Sequence, residues 1–158
     1  MKKIIIFAII LILFLGVIGL IVNQVPSDNQ IYTVTMKNNE EEDIGTIKMI
    51  EIRAGVLFDL DLKNLTPNGL QAIKIHKISD CSPSSNNINM PNLEMNVDGE
   101  IITKILNREV TLSENKIDVL NLFDQDGSSI IIYDTPYDHE NYSQDVNSKR
   151  VACGIIQK

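Results

Sequence analysis

The sequence has few of the residues that enzymes use for redox and metal chemistry. Its 158 residues include no tryptophan, two histidines (His76 and His139) and two cysteines (Cys81 and Cys153). Neither cysteine belongs to a Cys-x-x-Cys pattern, which excludes the zinc and thioredoxin-like motifs built on that spacing. A Gly-rich phosphate loop, a Ser-His-Asp set and a carboxylate pair placed for acid–base work are also missing from the sequence.

The chain also lacks an excess of basic residues, with 14 Lys and Arg against 21 Asp and Glu. The formal net charge is −7, which disfavours DNA, RNA and anionic membrane faces as partners and is compatible with a basic protein surface. Aromatic residues make up only 5% of the chain. Isoleucine, leucine and valine must therefore supply the core of any globular domain.

The longest apolar run lies at the start of the chain. Residues 4–22 are nineteen consecutive residues without a charge, and at ~1.5 Å per residue a helix of this length crosses the ~30 Å core of a bilayer. We predict a retained membrane anchor over residues 1–22. Lys2 and Lys3 are expected on the cytosolic side, and the rest of the chain on the lumenal or extracellular side. The alternatives are a cleaved signal sequence, although no small-x-small site follows the run, and a buried helix.

The rest of the chain has the pattern of an all-β domain over residues 31–158, joined to the anchor by a linker at residues 23–30. Residues 56–62 alternate between apolar and polar side chains, which predicts a half-buried strand with Asp59 and Asp61 outside. Seven or eight short strands separated by Gly, Pro and Asn turns predict an antiparallel sandwich or barrel. The further predicted strands lie at 31–37, 44–53, in the middle of 69–81, and at 101–105, 128–133 and 150–156.

Other segments predict turns and loops. Asp98-Gly99 predicts a hairpin between residues 91–97 and 101–105. Residues 82–90 and 134–148 are polar and predict loops. Residues 110–122 fit either a short strand or a helical turn, and their periodicity does not decide between the two.

The predicted strand over residues 44–53 alternates in character along its length. Period-two spacing places Ile44 with Thr46 and Lys48 on one face, opposite Ile47 and Met49.

In the strand within residues 69–81, the alternation places Lys74 and His76 with Ala72 on one face, opposite Ile73 and Ile75. The strand then turns at Ser79-Asp80 into a cysteine.

Four segments, in matching order and spacing, resemble the Cu/Zn superoxide dismutase family. The run Arg-Val-Ala-Cys-Gly-Ile-Ile at 150–156 resembles the family's Arg-x-Ala-Cys-Gly-Val-Ile, and residues 69–81 resemble its copper-ligand strand, Pro-Gly-x-His-Gly-Phe-His-x-His. Met-Pro-Asn-Leu at 90–93 precedes an Asp-Gly turn, as Leu-Pro-Asn-x does in the family. Ile-Ile-Tyr-Asp at 131–134 stands where the family has Val-Ile-His-Glu. The resemblance implies an antiparallel Greek-key β-sandwich or barrel.

The resemblance also implies a copper and a zinc site, and here the sequence departs from the family. Lys74 replaces the first histidine of the copper strand, His76 keeps the second, and Tyr133 replaces a further copper histidine. The zinc loop is reduced to residues 82–89, where Asn86 and Asn89 stand near its last histidine and aspartate. We therefore predict that both metals are lost, and that His76 is a vestigial surface or hydrogen-bonded histidine. His139 is interpreted as a solvated loop residue, with a stray metal ligand as the alternative.

The family's disulfide corresponds to Cys81 and Cys153, with a free buried pair as the alternative. Arg150 stands where the family has its superoxide-guiding arginine. Without a metal we expect it to be structural, through hydrogen bonds to backbone carbonyls near Cys81. Asn64 and Asn141 open Asn-x-Ser/Thr sequons and are candidate glycosylation sites.

The sequence thus predicts a catalytically inactive, membrane-anchored relative of Cu/Zn superoxide dismutase without cofactors. It resembles the metal-less dismutase-like proteins of poxviruses, which implies a virion protein, a decoy for the copper chaperone that recognises the fold, or a domain binding a host surface protein. No nucleic-acid partner is expected. The alternative is an active dismutase that binds copper and zinc through a non-standard ligand set.

Overall fold

Short antiparallel strands account for most of the part of the chain that the structure describes. The computed structural model describes residues 30–83, 86–113, 119–137 and 148–158, and no helix occurs in these ranges. The strands are β1 (Ile31–Asn38), β2 (Asp43–Ile52), β3 (Gly55–Leu62), β4 (Leu70–His76), β5 (Asn87–Asn89), β6 (Leu93–Glu94), β7 (Ile101–Asn107), β8 (Val110–Thr111), β9 (Leu120–Asn121), β10 (Ser128–Tyr133) and β11 (Arg150–Ile156).

Nine of these strands form one curled antiparallel sheet. Its order is β5–β4–β10–β11–β1–β2–β3–β7, and β6 also pairs with β4. The chain leaves β3 through a turn at residues 63–69 and crosses to the far half of the sheet, where β4 pairs with β10. Strand β7 then returns to pair with β3. The predicted all-β antiparallel fold is confirmed.

The main core lies between the two halves of the curled sheet. Its side chains come from β1, β2, β3 and β7 on one side and from β4, β10 and β11 on the other. Isoleucine, leucine, valine and methionine dominate it, as the scarcity of aromatic residues predicts. Phe58 on β3 is fully buried among them. This packing and their direct pairing hold β4 and β10, the two strands that carry the candidate site, side by side.

The predicted faces of β3 are confirmed. Its apolar side chains at alternate positions are buried, whereas Asp59 and Asp61 lie on the outer face. Asp59 forms an ion pair with Lys104 of β7, with 3.1 Å between Oδ2 and Nζ. One face of the strand is therefore core and the other is solvated, as alternation requires.

The predicted faces of β2 are wrong at one residue. Ile44 is fully buried, as are Ile47 and Met49, so it does not share a face with Lys48. The cause is a register shift in the pairing of β1 with β2: Met36 pairs with Gly45, and the next residue pairs with Asp43. The extra residue of such a bulge reverses the side-chain alternation at that point.

The hairpin predicted at Asp98-Gly99 is also wrong. The turn is present, with Gly99 at φ +73° and the Asn96 side-chain oxygen accepting from the amides of Asp98 and Glu100, both at 2.9 Å. The flanking strands do not pair with each other, because β6 pairs with β4 and β7 pairs with β3. The turn therefore joins the two halves of the sheet.

One loop prediction needs correction, and a second loop, which is confirmed in its described residues, contains a buried side chain. Residues 82–90 contain the short strand β5, which pairs with β4. Within the predicted loop 134–148, Tyr137 is buried, with 8% of its surface exposed. Residues 110–122, left open between strand and helix, contribute the parallel pair β8 and β9 at their ends.

The predicted anchor lies outside the described residues, as do His139 and Asn141. Among residues 30–83, 86–113, 119–137 and 148–158, no helix is long and apolar enough to cross a membrane.

Candidate functional site

Two neighbouring strands bring three of the candidate residues together. Lys74 and His76 lie on the outer face of β4, and Tyr133 lies at the end of β10, opposite Ala72 of β4. The Tyr133 hydroxyl oxygen is 3.0 Å from Nε2 of His76. The exposed fractions of His76 and Tyr133 are 1% and 5%, so the hydrogen bond is buried. Of the two interpretations of His76, the hydrogen-bonded one holds and the surface one is wrong.

Lys74 is buried beside two aromatic rings. Only 5% of its surface is exposed, and its Nζ lies 5.4 Å from the ring centroid of Tyr133 and 5.3 Å from that of Tyr137. An ammonium group within about 6 Å of an aromatic face is attracted to the electron-rich ring. The two tyrosines therefore help to accommodate a charge that is costly to bury.

The electrostatic surroundings keep His76 neutral. Burial, together with the positive charge of Lys74, lowers the pKa of His76 from its ordinary 6.5 to about 4, although Asp80 acts in the opposite direction. A neutral imidazole has one N–H donor and one acceptor nitrogen, so the Nε2–hydroxyl hydrogen bond occupies one of its two nitrogens.

The two asparagines of the shortened loop lie on and directly before β5, the strand that pairs with β4. Asn89 on β5 pairs with Lys74 in the sheet register and is exposed. Asn86 precedes β5, and its carbonyl oxygen accepts from the amide of Lys77 at 3.2 Å.

The residues at these positions do not fit copper or zinc. Copper of this type requires several imidazoles in a tetragonal arrangement, and the positions hold one imidazole, one ammonium group and one phenol. Neutral asparagine amides do not replace the histidine and carboxylate ligands of zinc. Nowhere in the described ranges do three His, Cys, Asp or Glu side chains come together as a metal-binding group.

A disulfide lies beside the cluster. Cys81 and Cys153 are bonded, with 5.8 Å between their Cα atoms and a separation of 72 positions in sequence. Arg150 makes two hydrogen bonds in the same region. Its Nη1 donates to the Cys81 carbonyl oxygen at 3.1 Å, and its Nε donates to Asn39 Oδ1 at 3.1 Å. The contact to the carbonyl of Cys81 is of the kind that a structural arginine makes.

These groups form a second, smaller core outside the sheet. It consists of buried Ala72, Ile131, Tyr133, Tyr137 and Cys153, with Cys81 packed against it. We call this set the outer core.

Sequence reasoning did not identify what fixes Tyr137 in the outer core. Its amide donates to Asn92 Oδ1 at 2.8 Å, and Asn92 Nδ2 donates to its carbonyl oxygen at 3.0 Å. Asn92 belongs to the Met-Pro-Asn-Leu segment. Its match to the family was the one feature of the sequence that pointed to a role for this asparagine.

Of the two sequon asparagines, Asn64 is exposed and lies in a turn with φ +59°. Its modification, like that of Asn141, remains a prediction.

Comparison with known proteins places this architecture among the superoxide dismutase-like folds. A superoxide dismutase-like protein from Bacillus subtilis superposes with a TM-score of 0.70 at 21% identity, covering 80% of this chain and 98% of that one. The Cu/Zn superoxide dismutase of Brucella abortus gives a TM-score of 0.61 at 16% identity, covering 81% and 100%.

Sequence comparison agrees with the fold, although no family model matches the chain. The Cu-Zn superoxide dismutase of Caulobacter vibrioides is 30% identical over 149 residues, which cover 79% of this chain and 84% of that protein. Superoxide dismutase [Cu-Zn] 1 of Aquifex aeolicus is 28% identical over 143 residues, covering 76% and 83%. The chain belongs to the Cu/Zn superoxide dismutase family.

Proposed function

We propose that this protein is a non-catalytic member of its family, a dismutase-shaped domain anchored in a membrane that acts by binding other proteins. The observation that carries the proposal is the internally bonded cluster at the copper position. There the His76 nitrogen is 3.0 Å from the Tyr133 hydroxyl and the Lys74 ammonium lies over the tyrosine rings.

The cluster opposes copper in two ways. The Lys74 ammonium stands at a ligand position of the family, and a cation placed beside it would be repelled in a poorly screened environment. Coordination by His76 Nε2 would also require breaking its hydrogen bond to Tyr133 in a buried site, which leaves a polar group unsatisfied.

Loss of copper removes the chemistry of dismutation. The reaction transfers one electron to and from superoxide, and no unmodified side chain of this chain cycles by one electron, so a redox cofactor is required. Without such a cofactor the chain has no route to dismutation.

A location outside the cytosol is supported by two features. The disulfide between Cys81 and Cys153 is of a kind that persists in oxidising compartments. The apolar run at residues 4–22 has the length of a membrane span. Such a location favours binding of a surface protein over capture of a cytosolic copper chaperone. The relatives named above are bacterial, which gives the viral interpretation no support.

Metal content and activity of the purified full-length chain test the proposal. We expect no stoichiometric copper after loading and dialysis, and no superoxide dismutation above the buffer rate. The matched control is the double variant Lys74→His with Tyr133→His, which places imidazoles at both positions beside His76. This variant should bind Cu²⁺ with a nitrogen-ligand signature in electron paramagnetic resonance.

The opposite result has a clear form. Stoichiometric copper and rapid superoxide turnover in the unmodified chain would contradict the proposal and establish the active dismutase. Protease protection of the region around Cys81 in intact membranes tests the location separately.

A further inference from the structure

Four aliphatic side chains stand in register across the outer face of one half of the sheet. Ile31 of β1 pairs with Ile50 of β2, Ile50 pairs with Leu57 of β3, and Leu57 pairs with Leu106 of β7. We call these four residues the apolar row. Ile31 and Leu106 have 59% and 38% of their surfaces exposed, and the other two are partly exposed.

The apolar row lies at one end of that face, and a single exposed isoleucine, Ile102, lies two rows further along. The next row on the same face is polar and consists of Thr33, Lys48, Asp59 and Lys104. The outer face of a solvated antiparallel sheet normally carries polar residues throughout. A row of exposed apolar side chains at one end is the kind of patch that marks a contact surface.

Exposed positive charges flank the row on both sides. Lys48 and Lys104 belong to the neighbouring row, Arg53 lies in the turn between β2 and β3, and Arg108 directly follows β7. Asp59 lies between the two lysines and pairs with Lys104. These four cations outnumber the acidic residues beside them, Asp59, Glu51 and Glu109. Although the whole chain carries −7, this end of the sheet is therefore more favourable for anionic headgroups than the average surface.

The apolar row begins where the linker from the predicted anchor ends. Residues 23–30 separate the apolar run from Ile31, and eight residues span at most about 27 Å when fully extended. The row is therefore at the end of the domain that an anchored chain would hold close to the bilayer.

We propose that the apolar row and its cationic flanks dock the domain onto the lipid surface in which residues 4–22 are anchored. This inference rests on the anchoring part of the proposed function. Aliphatic side chains enter the boundary between headgroups and acyl chains, while the lysines and arginines contact the headgroups. The domain would then lie against the membrane, with the outer core and its disulfide on another part of the surface.

A second copy of the chain is the other occupant to consider, and the size of the row disfavours it. Three strand spacings of about 4.8 Å make the row about 14 Å long. Four partly exposed side chains in a strip of this length offer far less surface than the ~800 Å² that each partner buries in a stable protein interface. The bilayer needs no such area, because the anchor supplies most of the membrane affinity.

Single-tryptophan fluorescence of the full-length chain in vesicles tests this docking. The chain has no tryptophan, so the variant Leu57→Trp reports only on the apolar row. Asp61→Trp is the matched control, four residues further along the same face of β3. Vesicles of phosphatidylcholine with phosphatidylglycerol would be prepared with and without brominated acyl chains, which quench tryptophan on contact.

We expect blue-shifted emission and several-fold stronger quenching for Leu57→Trp than for Asp61→Trp. Adding Lys48→Glu and Arg108→Glu to the Leu57→Trp variant should reduce the quenching, more in anionic vesicles than in pure phosphatidylcholine. Equal quenching at both positions, or quenching of Leu57→Trp that the two charge reversals leave unchanged, would overturn the proposed docking.

Flotation of the same samples separates the two levels of the proposal. A chain that floats with the vesicles and resists carbonate extraction but shows no quenching at position 57 contradicts docking and leaves anchoring intact. A chain that stays in solution overturns both. A blue shift that depends on protein concentration, without quenching by the brominated lipids, would show that the apolar row binds a second copy of the chain and not the bilayer. This result would also overturn the proposal.

Discussion

Acidification should destabilise the folded protein through His76. The pKa of this histidine is lowered from 6.5 to about 4 by burial and by the charge of Lys74. As the pH falls, the unfolded chain binds a proton at this histidine before the folded chain does. The stabilisation is therefore complete above pH 6.5 and is lost progressively between pH 6.5 and pH 4.

The expected loss follows from the size of the pKa shift. One pKa unit corresponds to about 1.4 kcal/mol, so the full effect is about 3 kcal/mol, and about 2 kcal/mol of it is lost by pH 5. This is a large fraction of the ~5–15 kcal/mol that stabilises a typical domain. The effect should be visible as a shift of the denaturation midpoint.

Urea unfolding at pH 7.5 and pH 5, with the disulfide intact, measures the effect. His76→Gln removes the titration and keeps an amide that can hydrogen-bond to Tyr133. Subtracting the pH dependence of this variant from that of the unmodified chain cancels every other titrating group. Lys74→Met should raise the pKa of His76 and so reduce the loss at pH 5, because one of its two lowering causes is removed.

An equal pH dependence in the unmodified chain and in His76→Gln would refute this reasoning. It would mean that His76 is either solvated in the folded state or charged and paired there. Either result would also remove the basis for describing the cluster at the copper position as closed and internally bonded.

Three further expectations concern stability. Phe58→Ala should cost about 3–5 kcal/mol in urea unfolding, because the ring is fully buried in the main core; a loss below about 1 kcal/mol would contradict this packing. Reduction of the bond between Cys81 and Cys153 should cost about 2–5 kcal/mol, since it closes a long loop; an unchanged midpoint after reduction would argue against this. Gly99→Ala should lower the melting temperature, because Gly99 has φ +73° and a Cβ there would overlap the Leu65 carbonyl oxygen; an unchanged melting temperature would show that the turn relaxes freely.

The parts of the fold that follow local rules could be predicted from the sequence. The alternation in β3 and the apolar runs of β10 and β11 gave strands at 56–62, 128–133 and 150–156, where the structure has them. Ile44 was misplaced because a bulge inserts one residue and inverts the alternation, and no apolar pattern reveals the insertion. A glycine follows it at position 45, with φ +132°, and was the one local sign.

The pairing of strands distant in sequence and the buried contacts of the candidate site could not be predicted from local sequence patterns. The Asp98-Gly99 turn was identified correctly, but which strands flank it depends on contacts distant in sequence: β6 with β4 and β7 with β3. The resemblance to the family identified Lys74, His76 and Tyr133, and the structure brings these together. It did not reveal that Tyr137 is buried there, because a lone tyrosine in a polar segment predicts a solvated loop residue. Its position depends on two hydrogen bonds between its backbone and the side chain of Asn92, which is distant in sequence.

The outer core also suggests how the fold persists if the metals are lost. Metal binding contributes to folding energy wherever the unfolded chain lacks a formed site, so a relative without ligands needs other contacts to hold the same strands and loops. Here the ring centroids of Tyr133 and Tyr137 lie 5.4 and 5.3 Å from Nζ of Lys74, and the disulfide at Cys153 packs against the two rings. Arg150 ties the backbone beside that disulfide to the β1–β2 turn. Under the proposed function, the aromatic contacts at the positions of the metal ligands would take over part of the role of the metals in holding these strands, beside a disulfide that corresponds to the family's own.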